Sequence, residues 1–340
     1  MTTGETSKNN GIVMSSRIRL ARNLSEYPFP FRMNSTQARE IVNKIRKIVS
    51  DFNMEELGNF LFVHMQDMGD IEKQMLVEKH LISPELAESK KDSAAIISRD
   101  ERISIMINEE DHLRLQVIYQ GLKLTDALEL GNKIDDLIAN KSNYAFNNNY
   151  GYLTCCPTNI GTGLRASVMM HLPALVMTGH IRKILEVCSK LNMAVRGIYG
   201  EHSSALGNIF QMSNQVTLGQ TEEEIVTSIT NAATQIIEQE AVIRNELYKQ
   251  NSIAFEDKIY RSFGLLSNAR ILTTEESLNL ISDVRLGINM GIIKDIRMEK
   301  IDQIMLMIQP ASLQKFVGKQ ISSNERDVKR AELIRQKIVE

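Results

Sequence analysis

From Ala38 onward, apolar residues return every three or four positions. Ala38, Ile41, Val42, Ile45, Ile48, Val49 and Phe52 fall on one side of a helix, and Asn34 with Gln37 gives that helix a capped start. The period then shortens to two. Residues 93–99 and 103–109 read as strands joined by a turn at Asp100–Arg102, with Ile103, Ile105 and Ile107 alternating with Ser104 and Met106. The acidic residues after Asn108 therefore sit at a strand end. Residues 143–151 read as a polar loop, followed by a short strand at 151–156. Residues 164–191 read as helical, kinked or divided by Pro173. Thr221 and Glu224 form a capping box that opens a long amphipathic helix to about Leu247, with Ile225, Val226, Ile229, Ala233, Ile236 and Ile237 on one face. Past residue 254 strand signals become scarce. A capped helix starts at Thr273 with Glu276, and helical stretches follow near 298–308 and 324–339. The expected architecture is a disordered start at 1–10, an α+β domain at 11–254 and a small all-helical domain at 255–340. No internal repeat is visible.

Composition narrows the class. Of 340 residues 43% are hydrophobic, enough for a buried core. With 40 basic and 42 acidic residues the net charge is -2, which argues against a general nucleic-acid or membrane-surface binder. Cys155, Cys156 and Cys188 are too few and oddly numbered for a disulfide framework, so a reducing cytoplasm is the expected location. Met1 to Asn10 lack a signal-peptide core, and no apolar run is long enough to span a bilayer.

The chemistry lies in arginines embedded in distinctive local sequences. Neither a Walker A motif nor the protein-kinase loop motifs occur. Ser15-Ser16-Arg17-Ile18-Arg19-Leu20-Ala21-Arg22-Asn23 puts Arg17 and Arg19 on one side of an extended segment. Asn108-Glu109-Glu110-Asp111-His112-Leu113-Arg114 joins three carboxylates to an arginine. Cys156-Pro157-Thr158-Asn159-Ile160-Gly161-Thr162-Gly163-Leu164-Arg165 places another just past a glycine turn, and Arg196-Gly197-Ile198-Tyr199-Gly200-Glu201-His202 adds an arginine and a carboxylate. Guanidinium groups bind phosphate oxygens bidentately and stay protonated, so five of them can replace a glycine-rich phosphate loop. Taken singly, each would be a surface ion-pair partner. His112 and His171 lack metal-ligand spacing and read as structural, and Met169, Met170 and the run Met298–Met307 read as core.

Over residues 11–250, and in the same order, these stretches resemble the phosphagen kinases. That resemblance implies a catalytic domain of antiparallel sheet flanked by helices, with ATP and Mg²⁺ as its nucleotide and ion. It implies a nucleotide cradle of Arg17, Arg19, Arg114, Arg165 and Arg196, with Ser15, Ser16, Ile18, His80, Ala166, Ser167, Val168, Met169, Gly197, Ile198, Tyr199, Gly200 and Glu201 around it. It makes Glu110 the general base toward the acceptor guanidinium and Glu201 its clamp, with exchange of roles open. Cys156 becomes the active-site cysteine, for alignment and charge tuning. Glu109 and Asp111 are expected in structural or metal-shell roles, with no metal ion fixed by the protein.

Small-molecule phosphagen kinases carry a helical domain ahead of the Ser-Ser-Arg motif, with a loop that encloses the acceptor. Here the motif stands at Ser15, so the acceptor pocket is expected to be open. That opening and the helical region past 254 match the bacterial protein arginine kinases. The implied substrates are arginines of misfolded proteins and of a heat-shock repressor. A Clp ATPase, an activator protein and a second copy of the chain are the implied partners. His202 departs from the expected glycine and resembles small-molecule arginine kinases, so a free-arginine kinase stays open as an alternative, as does a non-catalytic phosphoarginine-binding adaptor. The segment Arg326-Asp327-Val328-Lys329-Arg330-Ala331 matches the family's allosteric phosphoarginine-binding motif, in which Arg326 and Arg330 share a helix face, Asp327 meets the guanidino part and Ala331 leaves room for the ligand.

Overall fold

The computed structural model describes residues 11–52, 57–197 and 205–339. Eight strands hydrogen-bond in the order β2-β3-β4-β5-β1-β8-β10-β9. They are β1 (Val13–Arg22), β2 (Phe60–His64), β3 (Ala94–Ser98), β4 (Ile103–Ile107), β5 (Leu113–Gln120), β8 (Leu164–His171), β9 (Met193–Gly197) and β10 (Ile209–Asn214). A separate two-residue ladder pairs β6 (Phe146–Asn147) with β7 (Gly151–Tyr152). The pairs β2–β3, β3–β4, β4–β5 and β5–β1 are antiparallel. The chain forms two compact units, one of Ser15–Val168 with Ser213–Asn231 and one of Met1–Met14, Met169–Met212 and Ala232–Glu340.

The locally encoded elements form as their sequences dictate. Asn34 and Gln37 make a reciprocal capping box on the helix Ser35–Ser50, whose buried face is the expected set from Ala38 to Val49. Thr221 and Glu224 cap the helix Glu222–Gln250 in the same way, with bonds of 2.8 and 3.1 Å. The Thr273 side chain caps the helix Thr274–Asn289. The helices Ser252–Asn268, Met298–Met307, Pro310–Val317 and Ser323–Val339 complete the C-terminal region around Leu266, Leu272, Leu278, Ile281, Ile301 and Ile334.

Two expectations need correction. Residues 164–171 are the strand β8, not the start of a helix, and Pro173 is the first residue of a separate short helix, Pro173–Met177. Leu164, Ala166, Val168 and Met170 are buried and alternate with Arg165 and Ser167, but the apolar residues that follow through Met177 also fit a helical period. The stretch 151–156 forms a strand only at Gly151–Tyr152; beyond it the Leu153 N–H bonds the Ala145 carbonyl and the Cys155 N–H bonds the Asp111 side chain.

In the first unit the sheet has two unlike faces. Ile18 and Leu20 of β1 and Val117 of β5 pack on the helix Leu124–Ala139, where Gly131 lets the backbones approach. Ala95, Ile97 and Met106 lie on the other face, under Leu76, Leu81, Ile82 and Leu86. Arg22 at the end of β1 bonds Asp135 at 2.9 Å and the Thr162 carbonyl at 2.9 Å, with its guanidinium 3.5 Å from the Tyr152 ring centre. A Cβ at Gly163 would lie 2.6 Å from the Ala21 carbonyl oxygen and 2.7 Å from Arg22, and φ there is +65°, so only glycine fits the turn beside β1.

His112 is buried, with Nδ1 accepting from the Leu24 N–H and Nε2 donating to the Pro28 carbonyl, each at 3.0 Å. Burial holds the imidazole down at about 4, and only its neutral form satisfies both partners. In the unfolded chain the group titrates near 6.5, so its contribution to stability is complete above that pH and is lost as pH falls toward 4. Denaturant unfolding is expected to show this loss, on the order of 3 kcal/mol from this residue, and His112→Gln should flatten that part of the profile.

Candidate active site

Strand alternation sends Ser16, Ile18 and Leu20 into the core and leaves Arg17 and Arg19 on the opposite face. In the register with β5, Arg17 stands opposite Ile118, Arg19 opposite Gln116 and Ala21 opposite Arg114. Gln116 donates to the His80 carbonyl at 2.7 Å, which fixes the turn after the helix Asp70–Glu78 above the arginines. Arg165 and Ser167 alternate along β8, and the Arg17 Nε lies 3.5 Å from the Ser167 hydroxyl.

Positive charge is concentrated on this face. Burial, then the charges of Arg114 and Arg165, lower Arg17 to about 10. Arg19 is pushed well below its usual range by burial, Arg17, Arg114 and Arg165, and only Glu109 opposes the shift. Burial and the charges of Arg17 and Arg19 take His80 down to about 4, so it is neutral at pH 7. Among the described residues the buried Arg19 Nε has no hydrogen-bond partner. Four guanidinium groups and a neutral imidazole thus share one field, which suits a polyanion with several equivalent oxygens.

The turn between β4 and β5 supplies the carboxylates. Asn108 adopts φ +59°, which asparagine tolerates, and its side chain donates to the carbonyls of Ala38 and Asp92. Glu109 has a buried side chain and pairs with Arg114. Glu110 is exposed, and partial burial together with Asp111 and Glu109 raises its carboxyl above the usual range. Asp111 is buried. Its Oδ1 accepts from the Asn23 side chain at 2.6 Å and from the Cys155 N–H at 2.7 Å. The cysteine segment is thereby tied to the acidic turn. Burial, Asp111 and Glu110 raise the Cys155 thiol to about 12, so it stays protonated. Cys156 is half-exposed, with its sulfur 3.0 Å from the Thr158 hydroxyl.

The structure therefore brings Arg17, Arg19, Arg114, Arg165, His80 and Ser167 into one electrostatic group, with Glu110 reached through Arg114. Ser16 is buried, donating to the Gly121 carbonyl and accepting from the Lys123 N–H, and Ile18, Ala166 and Val168 are core. Ser15 begins the pairing of β1 with β5, opposite Gln120. Met169 packs on the core of the C-terminal helical region, and Arg196 is an exposed residue of β9, in the other compact unit, followed by Gly197. Ile198, Tyr199, Gly200, Glu201 and His202 lie outside the described residues. Among the described residues no group of three or more His, Cys, Asp or Glu side chains could hold a metal ion, and no helix is long and apolar enough to cross a membrane. Gln116, Asn23 and the anchoring use of Asp111 were not singled out from the sequence. Gln116 stands two positions past Arg114 on a strand, a spacing that could have revealed it.

In the C-terminal helix, Arg330 is 1% exposed and bonds the carbonyls of Ile308 and Leu272 at 2.9 and 2.8 Å and Asp327 at 2.6 Å. Ala331 is fully buried, so its small side chain serves packing. Arg326 and Asp327 remain half-exposed.

Removing the Asp111 carboxylate leaves two donors without their acceptor. Asp111→Ala is expected to cost about 1–3 kcal/mol in denaturant unfolding, whereas Asp111→Asn keeps an oxygen at the same place and most of the stability.

Comparison with known proteins shows the family. Residues 40–243 match the ATP:guanido phosphotransferase C-terminal catalytic domain, and residues 252–340 match the Protein-arginine kinase McsB C-terminal domain. The chain is 50% identical over 323 residues to the protein-arginine kinase of Caldanaerobacter subterraneus subsp. tengcongensis, covering 95% of this chain and 96% of that protein. It is 48% identical over 330 residues to the protein-arginine kinase of a Geobacillus species, covering 97% and 91%. Among solved structures, the duplicated taurocyamine kinase of Schistosoma mansoni superposes with a TM-score of 0.62 at 26% identity, over 73% of this chain and 36% of that one. The two halves of the match adjoin along the chain, and with near-complete coverage of relatives at about half identity the chain belongs to the protein-arginine kinase family of ATP:guanido phosphotransferases.

Proposed function

We propose that the arginine face holds the triphosphate of ATP and that Glu110 takes the proton of an arginine side chain on a protein substrate. The observation that supports this most is the gathering of Arg17, Arg19, Arg114 and Arg165 within range of one another's charge, with the Arg19 Nε buried and unpartnered among the described residues. In the transfer, a guanidino nitrogen attacks the γ-phosphorus, the bond from that phosphorus to the ADP oxygen breaks, and a guanidinium proton passes to the Glu110 carboxylate. The arginines neutralise charge on the moving phosphoryl group. Glu110 suits the proton transfer because its raised carboxyl is a better base than an ordinary one. Mg²⁺ would arrive with the nucleotide, on phosphate oxygens and water. Arg196 and Glu201 are proposed to join the cradle and clamp the acceptor, on the family resemblance. That resemblance also supports misfolded proteins and a heat-shock repressor as substrates, delivery to a Clp ATPase, an activator protein and a cytoplasmic location.

Incubation with Mg-ATP and casein is expected to yield acid-labile phosphate on the protein, with free arginine a much poorer acceptor. Efficient use of free arginine without protein labelling would overturn the substrate reading. Glu110→Gln should lower kcat by about 10²–10⁴ with little change in ATP affinity. The wild-type rate should be high above the raised Glu110 titration and fall as pH drops through it, and the variant should lose that limb. Arg165→Ala should weaken nucleotide binding as well as rate.

We further propose that the C-terminal helical region forms a homodimer and that Arg326, Asp327, Arg330 and Ala331 mark a phosphoarginine site there. Arg326 and Asp327 offer a cation and a carboxylate at the surface, and Arg330 fixes the Asp327 carboxylate from beneath. The double variant Arg326→Ala with Asp327→Ala should lose binding of a phosphoarginine peptide while ATP affinity holds. Unchanged peptide binding would reduce the motif to an ion-pair cluster.

A further inference from the structure

The helices Glu222–Gln250 and Ser252–Asn268 are joined by one residue, Asn251, whose side chain accepts from the Ala254 N–H at 3.0 Å. So tight a corner sets Tyr248 of the first helix beside Glu256 of the second. The Tyr248 hydroxyl donates to the Glu256 carboxylate at 2.6 Å, and Phe255 stands edge-on to the Tyr248 ring with centroids 5.9 Å apart. Tyr260 follows Glu256 by one helical turn on the same face. Its hydroxyl donates to the Ile292 carbonyl at 3.1 Å. That carbonyl is presented where Gly291, at φ +72°, ends the helix Thr274–Asn289 and the Ile292 N–H closes back on the Gly287 carbonyl at 2.8 Å.

A cavity of about 410 Å³ lies among these segments, lined by Tyr248, Glu256, Tyr260, Met290 and Ile292. Small-ligand sites run from about 300 to 1,000 Å³. All of its walls belong to one compact unit, and none of these residues has a part in the arginine face or in the segment 326–331. Both phenol protons are already committed, to Glu256 and to Ile292. What the two phenols, the carboxylate and the carbonyl offer a ligand is therefore oxygen lone pairs, beside two ring faces and a thioether. The lining side chains that carry N–H donors are Asn245 and Lys294, and both residues are exposed.

We propose that this cavity is a binding site for a planar cation, the unphosphorylated guanidinium group of arginine, additional to the acceptor position at Glu110. A guanidinium brings donors and no acceptor, which complements walls of lone pairs. Its fork pairs with a carboxylate, and its flat face stacks on a phenol ring, which an ammonium group cannot do. The charge of Lys294 opposes such a ligand, so that residue tunes the affinity downward. The guanidinium can belong to free arginine or to an arginine within a polypeptide.

The test is calorimetry on the full chain with L-arginine, N-acetylarginine amide, L-lysine and inorganic phosphate as probes. Glu110→Gln is present in every preparation to weaken binding at the acceptor carboxylate. Arginine is expected to bind about tenfold more tightly than lysine. Glu256→Gln keeps an oxygen for Tyr248 but removes the charge, and should weaken arginine by about tenfold. Tyr260→Leu changes a ring that is 50% exposed and should weaken it by about threefold, with Tm near that of the parent. Lys294→Ala should act in the opposite direction and tighten binding by about twofold. Equal affinity for the blocked and the free amino acid assigns the site to arginine within a polypeptide, and binding of free arginine alone assigns it to the amino acid. Arginine affinity unchanged by both Glu256→Gln and Tyr260→Leu overturns the proposal. So does lysine binding as tightly as arginine, or phosphate binding that Lys294→Ala abolishes, which would make the cavity an anion site.

Discussion

Repulsion among like charges governs this molecule. Two guanidinium groups ~6 Å apart at an effective dielectric constant near 20 repel by about 3 kcal/mol, and this face gathers Arg17, Arg19, Arg114 and Arg165 in mutual range. A domain is stable by only about 5–15 kcal/mol in total. The arrangement persists because the same strands bury Ile18, Leu20, Leu115 and Val117 on their other face, and because Glu109 offsets part of the charge through Arg114. On the reading proposed above, a polyanion at this face would remove the rest of the cost, so that its affinity would be stored in the fold before it arrives.

Arg22 shows the contrast. It belongs to the same strand, three residues past Arg19, but alternation turns it to the helical side. There Asp135, a carbonyl and a tyrosine ring satisfy it. Arg330 is used likewise in the C-terminal helix, where carbonyls of two other segments and Asp327 surround it. A fully bonded buried arginine cross-links a structure, and a buried arginine among its own kind makes a site.

What could be read from the chain follows the range of each interaction. Capping boxes at Asn34 and Thr221 span four residues, so composition and spacing reveal them. The arginines were legible because each sits in a distinctive local sequence. The strand β8 was not, because the apolar positions Leu164, Ala166, Val168 and Met170 run on into the stretch 172–177, and the whole also fits a helical period. The anchoring by Asp111 was hidden for another reason. Its partners, Asn23 and Cys155, are 88 and 44 residues away, and nothing local to any of the three announces the meeting. The buried state of Arg330 and Ala331 is equally a product of packing between helices, invisible in a helix that alone reads as charged and solvated.

Asp111 also has a consequence for motion. One short, buried side chain in the β4–β5 turn accepts from the Asn23 amide at 2.6 Å and from the Cys155 N–H at 2.7 Å, with a single methylene group between that carboxylate and the backbone. Displacing the turn that carries Glu110 therefore pulls on the backbone that leads into Cys156, and the two positions are mechanically coupled through one carboxylate.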